Sequence, residues 1–250
     1  MAVAVYDEHA AFYVDFVDRG LASDASYIGL LLSTLVDRLG DRLAGARVCD
    51  LCCGEGYVGR HLLARGAREV VGIDASPALI EVARRRAPAA ALSYRVDDAQ
   101  ELRSAAAGAF DVVVSQLALM DVADHRRMFA AVRRVLAAGG PFVFSLLHPC
   151  FEGRPFHVID APPHVLDEAG RPTACLVRRY ASEGLWNSGG DGVRGRVGAY
   201  HRTISTYIND LLASGFVLER LDEPLAGGDA AGAGLFAEVP TALVVTARAD

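Results

Sequence analysis

Apolar residues along the chain repeat with two different periods, and the switch between them outlines the architecture. Near the N-terminus they recur every three to four positions over residues 7–17 and again over 26–39, where Ile28, Leu31, Leu32, Leu35 and Val36 share one face. That spacing predicts two amphipathic helices. Further on, short apolar runs alternate with helical periodicity, predicting strands near 47–51, 69–73, 92–96, 110–115 and 141–147 and helices near 56–66, 77–86 and 124–137. Gly40, Gly45, Gly66, Gly139 and Gly140 punctuate the alternation. Strands alternating with helices imply an α/β fold with a parallel sheet covered by helices, and ligands at the carboxyl ends of the strands.

Beyond Leu147 the alternation stops in a stretch rich in Gly, Pro, His, Arg and aromatics, then resumes with a helix near 204–214 and strands near 216–223 and 241–247. A break of that length inside a compact domain predicts a cap over a binding site. The predicted organisation is one domain over 1–250: a helical cover (1–44), a ligand-binding core (45–147), an inserted cap (148–200) and a closing helix with strands (201–250).

Residues 48–74, VCDLCCGEGYVGRHLLARGAREVVGID, fit a strand, a glycine turn, a helix and a second strand ending in a carboxylate. Gly54, Glu55, Gly56, Tyr57, Val58 and Gly59 spell G-x-G-x-x-G, and Asp74 stands where an acidic side chain can accept hydrogen bonds from ribose hydroxyls. Without Cβ the backbone can turn through positive φ and approach a ligand, and the helix that follows offers unpaired N–H groups. Two cofactors fit these letters, a nicotinamide dinucleotide and a sulfonium nucleoside. Asp50 separates them. A carboxylate at the end of the first strand repels a pyrophosphate and suits the cationic methionine end of S-adenosyl-L-methionine, directly or through water.

On Asp50 to Gly56 and on Asp74 the chain resembles the class I S-adenosylmethionine-dependent methyltransferases, whose first motif is D-x-G-x-G-x-G followed by an acidic residue ending the next strand. The likeness is to small-molecule members of the quinone-biosynthesis and natural-product type, and it is strong over residues 45–150. Cys52 replaces the first glycine of the motif, which sets the turn slightly further from the ligand. The resemblance implies a Rossmann-like, doubly wound sheet of seven mostly parallel strands, the last antiparallel. It also implies that Tyr13, Asp50, Cys52, Gly54, Gly56, Asp74, Ala75, Asp98, Ala99, Ser115 and Gln116 bind the cofactor, and that S-adenosyl-L-homocysteine is the product. In the family a carboxylate at the position of Asp98 meets the adenine amino group, and a backbone N–H at that of Ala99 meets the ring.

Composition narrows the partners. A net charge of −6 without a basic stripe argues against binding a nucleic-acid backbone. No apolar stretch approaches the ~20 residues of a membrane span, and no basic-then-apolar leader is visible, so a cytoplasmic protein without membrane attachment is expected. Five scattered cysteines do not form a disulfide framework, and Cys49 with Cys52 lacks the second ligand pair of a metal site, so none is expected. Lysine is absent, which excludes a pyridoxal Schiff base, a P-loop lysine and the Tyr-x-x-x-Lys pair of short-chain dehydrogenases. The sequence leaves a homodimer open.

The acceptor side offers candidates with two readings each. His148, in HPCF just beyond the fifth strand, reads as a general base or substrate partner, or as a loop-fixing histidine before Pro149. His201 and Arg202, at the start of the closing helix, could hold an anionic or phenolic acceptor, or Arg202 could be structural. Trp186 is a pocket wall over a planar substrate or an anchor of the cap. Tyr13 reaches the cofactor carboxylate or packs with Phe12 and Phe16, while Arg84–Arg86, Arg133 and Arg134 read as solvated helix faces. The expected reaction is in-line methyl transfer to oxygen, nitrogen or carbon of a small, partly aromatic acceptor, with His148 or His201 as base for a phenol or an acidic carbon. Two rivals stand beside it: an NAD-dependent oxidoreductase using the literal glycine pattern, and a non-methylating protein or enzyme that binds S-adenosylmethionine.

Overall fold

The computed structural model describes residues 3–23, 26–87, 89–151, 164–225 and 237–250. Helices α1 (Val3–Glu8), α2 (Ala10–Leu21) and α3 (Tyr27–Leu39) precede the sheet. The helix expected over 7–17 is thus interrupted at His9, whose ψ of 13° leaves the helical range between α1 and α2. α3 begins as the sequence predicts, because the Ser26 hydroxyl accepts the Ile28 N–H at 3.1 Å and caps the first turn. Its predicted face is the one that packs: Ile28, Leu31, Leu32 and Leu35 are buried.

The alternation that follows is β1 (Arg47–Leu51), α4 (Tyr57–Ala64), β2 (Glu69–Asp74), α5 (Pro77–Arg86), β3 (Leu92–Val96), β4 (Val112–Gln116), α6 (His125–Val135) and β5 (Pro141–Leu147). The cap contributes two short hairpins, β6 (His164–Leu166) with β7 (Pro172–Cys175), and β8 (Gly184–Trp186) with β9 (Ala199–His201). The short helix α7 (Val193–Arg196) lies within the second. Residues 152–163 of the expected cap lie outside the described residues. The chain then forms α8 (Ile204–Ala213), β10 (Phe216–Asp222) and β11 (Ala242–Ala249).

Seven strands form one sheet in the order β10-β11-β5-β4-β1-β2-β3, with β11 antiparallel to both neighbours and the other six parallel. Strand order reverses between β1 and β4, and a crevice opens at such a switch point. Both faces of the sheet are covered at its centre, so β4 is buried at every position, whereas the edge strands β3 and β10 keep exposed polar positions. In β4, Val112 and Val114 pack into the core under α3 and α4, while the intervening Val113 packs into the core under α6 and α8.

Candidate functional site

The turn after β1 is left-handed at three positions: Cys52 (φ 57°), Gly54 (φ 53°) and Gly56 (φ 86°). A Cβ on Gly56 would lie 2.2 Å from the Tyr94 hydroxyl oxygen, so glycine is required there by space as well as by torsion. Asp74 ties the turn from β2: one carboxylate oxygen accepts the Gly54 N–H at 2.8 Å and the other the Ser76 N–H at 2.9 Å. Burial pushes its carboxyl above the ordinary range, against the pull of those N–H donors.

Asp50 is placed differently from the sequence expectation. It is 1% exposed, lies beneath the turn rather than in the cleft lining, and accepts the Gly59 N–H of α4 at 2.9 Å. Burial pushes its carboxyl up to about 7. Its visible work is to hold the turn on the helix. Glu55, fully buried, is paired with Arg60 at 2.7 Å and Arg86 at 2.9 Å, and Arg86 also pairs with Asp18 of α2 at 2.8 Å. Arg86 is therefore not merely a solvated helix face: it bolts the N-terminal cover to the glycine turn. Arg84, likewise, donates to the Tyr94 carbonyl at 3.1 Å, and Arg134 to the Leu102 carbonyl at 2.8 Å.

A cleft of about 1040 Å³, including its open mouth, runs across the carboxyl ends of β1, β2, β3 and β4. Of the residues proposed from sequence for the cofactor, Tyr13, Cys52, Gly54, Asp74, Ala75, Asp98, Ala99 and Gln116 line it. Asp50, Gly56 and Ser115 support it from below without lining it. The Gln116 amide donates to the Ile28 carbonyl at 3.1 Å, while its buried Oε1 has no protein partner among the described residues.

None of the four residues proposed for the acceptor side lines this cleft. Both ring nitrogens of His148 are engaged: Nδ1 accepts the Cys150 N–H at 3.2 Å, and Nε2 donates to Glu223 at 2.8 Å. The loop-fixing reading is the one this geometry matches. His201 donates from Nε2 to the Tyr180 carbonyl at 2.8 Å. Arg202 donates to the carbonyls of Val122 at 2.9 Å and Ala123 at 2.7 Å, so it tethers the loop after β4 rather than facing the cleft. Trp186, 7% exposed, joins the core that includes Met120 and Ala199 and anchors the second cap hairpin.

Sequence reasoning passed over Tyr6, Asp121 and Arg194. The Tyr6 hydroxyl donates to Asp121 Oδ2 at 3.1 Å, and Arg194 forms an ion pair with the same carboxylate. Tyr6 and Asp121 line the cleft. The available signal was weak: an aspartate shortly after the end of β4. No helix among the described residues is long and apolar enough to cross a membrane, and none of their His, Cys, Asp and Glu side chains cluster as metal ligands.

A family model described as a methyltransferase domain matches residues 48–140. Among solved structures, an S-adenosylmethionine-dependent methyltransferase from Mesorhizobium loti is 30% identical, with a TM-score of 0.73 over 87% of this chain and 95% of its own. A putative S-adenosylmethionine-dependent methyltransferase from Listeria monocytogenes is 28% identical, with a TM-score of 0.71 over 88% of this chain and 96% of its own. A ubiquinone biosynthesis O-methyltransferase from Xanthomonas oryzae pv. oryzae is 35% identical over 108 residues, 42% of this chain and 45% of its own length. The chain therefore spans about half the length of such curated O-methyltransferases.

Proposed function

Because the chain belongs to the class I S-adenosylmethionine-dependent methyltransferases, we propose that it transfers the methyl group of S-adenosyl-L-methionine to a small-molecule acceptor by in-line displacement. The observation that carries the reading is the cleft across the ends of β1, β2, β3 and β4. Its lining brings Asp74, Asp98 and Ala99 together with the glycine turn, and α1 and α2 supply part of its wall through Tyr6 and Tyr13. A partly aromatic acceptor is favoured by the similarity to ubiquinone biosynthesis O-methyltransferases.

The residues fit the cofactor piece by piece. Asp74, already fixed by two backbone N–H groups, has lone pairs left for ribose hydroxyls. Asp98 and Ala99 stand at the adenine end. Cys52, Gly54, Tyr13 and Gln116 surround the methionine end, where the unpaired Gln116 Oε1 can accept from an ammonium or an acceptor hydroxyl. The cofactor supplies an activated methyl group, so the protein has chiefly to align the acceptor at ~3 Å and exclude water. Since His148 and His201 are engaged outside the cleft lining, histidine assistance is replaced in this reading by a group of the cleft itself.

Titration calorimetry with S-adenosyl-L-methionine, S-adenosyl-L-homocysteine and NAD tests the cofactor half. The first two bind and NAD does not. Asp74→Ala weakens both by roughly 1.5 to 3 kcal/mol, the scale of a charged hydrogen bond. Unchanged affinity in that variant overturns the placement of the ribose. Release of S-adenosyl-L-homocysteine with a small acceptor separates the reading from a protein that only retains the cofactor.

A further inference from the structure

The cofactor leaves one cluster of the cleft unused. Asp121 ends a short 3-10 turn (Leu119–Asp121) after β4 and lines the cleft beside Ala118 and Val122. Its carboxylate is held by Arg194 of α7, which donates to both oxygens, and by the Tyr6 hydroxyl of α1, which donates to Oδ2 at 3.1 Å. The side chains of Arg194 and Asp121 are only 15% and 19% exposed, and Arg194 also donates to the Gly198 carbonyl at 3.0 Å. A buried ion pair costs desolvation free energy and is weak evidence of a purely stabilising role.

An independent observation lies at the end of β4. Gln116 is 6% exposed, its amide orientation is fixed by Ile28, and its Oε1 has no partner while its side chain lines the same cleft. A buried acceptor left unpaired is costly until a donor arrives. The described lining, moreover, carries the carboxylates of Asp74, Asp97, Asp98 and Asp121 and no arginine or histidine. An anionic acceptor would enter against the summed charge of that lining.

Resting on the reading as a small-molecule methyltransferase, we propose that Asp121, with Gln116, binds the acceptor through a hydroxyl or amine hydrogen, takes up its proton, and selects acceptors that are neutral or cationic. The acceptor's lone pair forms the new O–C or N–C bond as the C–S bond breaks, and the electron pair of that bond stays on sulfur. As the new bond forms, the acceptor atom becomes positive and strongly acidic, so its proton is given up to a carboxylate oxygen within hydrogen-bond reach. The proton passes to Asp121 and on to solvent. Arg194 is a positioning residue that aims the carboxylate.

Arg194 and the Tyr6 hydroxyl touch the Asp121 carboxylate, and the Arg202 guanidinium donates to the carbonyls of Val122 and Ala123 just after it. Arg194 is the cation in direct contact with the carboxylate.

Catechol, dopamine and 3,4-dihydroxybenzoate present the same pair of hydroxyls on a neutral, a cationic and an anionic molecule. With S-adenosyl-L-methionine present, release of S-adenosyl-L-homocysteine is expected for the first two, with kcat/KM for the benzoate at least about tenfold lower. Asp121→Asn keeps the shape, leaves S-adenosyl-L-methionine binding within about twofold and lowers kcat at least about 100-fold. Arg194→Gln lowers kcat while KM for catechol and cofactor affinity stay within about threefold, and Arg194→Lys restores kcat. Loss of cofactor affinity in Asp121→Asn with kcat retained overturns the proposal, because Asp121 then holds the cofactor's ammonium. Equal use of the benzoate also overturns it, as does silence with all three acceptors in a protein that binds the cofactor. A wild-type protein that fails to bind S-adenosyl-L-methionine removes the underlying reading instead. Should either Asp121→Asn or Arg194→Gln fail to fold, the wild-type ratio among the three acceptors still decides.

Discussion

The two ends of the cleft are built by different means. At the glycine-turn end the backbone is the material: Cys52, Gly54 and Gly56 turn through positive φ, and Asp50 and Asp74 accept N–H groups from Gly59, Gly54 and Ser76. These partners are 9, 20 and 2 residues apart. At the other end side chains meet across the fold, with Tyr6 and Asp121 separated by 115 residues and Asp121 and Arg194 by 73. A backbone-built site tolerates only the residues its torsions admit, whereas a site closed by side chains can change its acceptor by changing a few of them. The comparison predicts that damage at the first end costs folding and cofactor together, and damage at the second costs the acceptor while sparing the cofactor.

Gly56→Ala should give the largest effect. Its new Cβ would stand 2.2 Å from the Tyr94 hydroxyl oxygen and 2.6 Å from Cζ, at a φ of 86°. Torsional strain and overpacking together should cost about 3 kcal/mol or more, measured by chemical denaturation, and abolish cofactor binding. Adding Tyr94→Leu should recover part of the stability by removing the clash while leaving the torsion strained. A fully stable single variant that binds S-adenosyl-L-methionine normally would break the comparison at its firmer end.

Arg202→Met probes the other end with a smaller effect. It leaves the carbonyls of Val122 and Ala123 without their guanidinium donors, so about 1 to 3 kcal/mol of stability should be lost. Because the loop it tethers carries Asp121 and Val122 of the cleft wall, KM for the acceptor should rise while cofactor affinity stays within about twofold. If cofactor affinity falls as steeply as stability, the two ends are one cooperative unit.

How much of this was legible in the sequence follows the same division. The strands and helices of the sheet were readable because each is fixed by its own apolar period and by nearby glycines, as in the run Val112–Val114, buried on both faces. The cleft residues Gly54, Asp74, Ala75, Asp98 and Ala99 were readable because a family motif marks local geometry. The break at His9 was not, since it depends on a single ψ. Nor was the engagement of His148 by Glu223, 75 residues away, or that of Arg202 by the loop after β4. A lone histidine or arginine announces its chemistry but not its partner, and the partner decides its role. Asp121 was invisible for the converse reason: an aspartate after a strand is ordinary until Tyr6 and Arg194 arrive from elsewhere.

Asp50→Asn has the smallest expected effect and sharpens the comparison most finely, since Asp50 carries a charge in the half built from backbone. In the unfolded chain its carboxyl titrates near about 3.9, while burial in the fold pushes it up to about 7. Between those values the folded protein holds a proton that the unfolded chain has released. Stability contributed by this group therefore falls as pH rises through that window, and the loss is complete above it. Asparagine can still accept the Gly59 N–H but carries no charge, so denaturation midpoints at pH 5 and pH 8 should lie closer together in the variant than in the wild type. At pH 7 the net change should stay below about 1 kcal/mol, because relief of a buried charge is offset by burial of an amide N–H group without a partner. The preference for S-adenosyl-L-methionine over S-adenosyl-L-homocysteine, which differ by the sulfonium charge, should change less than about twofold if Asp50 acts only on the turn. A tenfold fall in that preference would show the carboxylate acting on the sulfonium from beneath the loop, and charge would then join backbone as a material of the cofactor end.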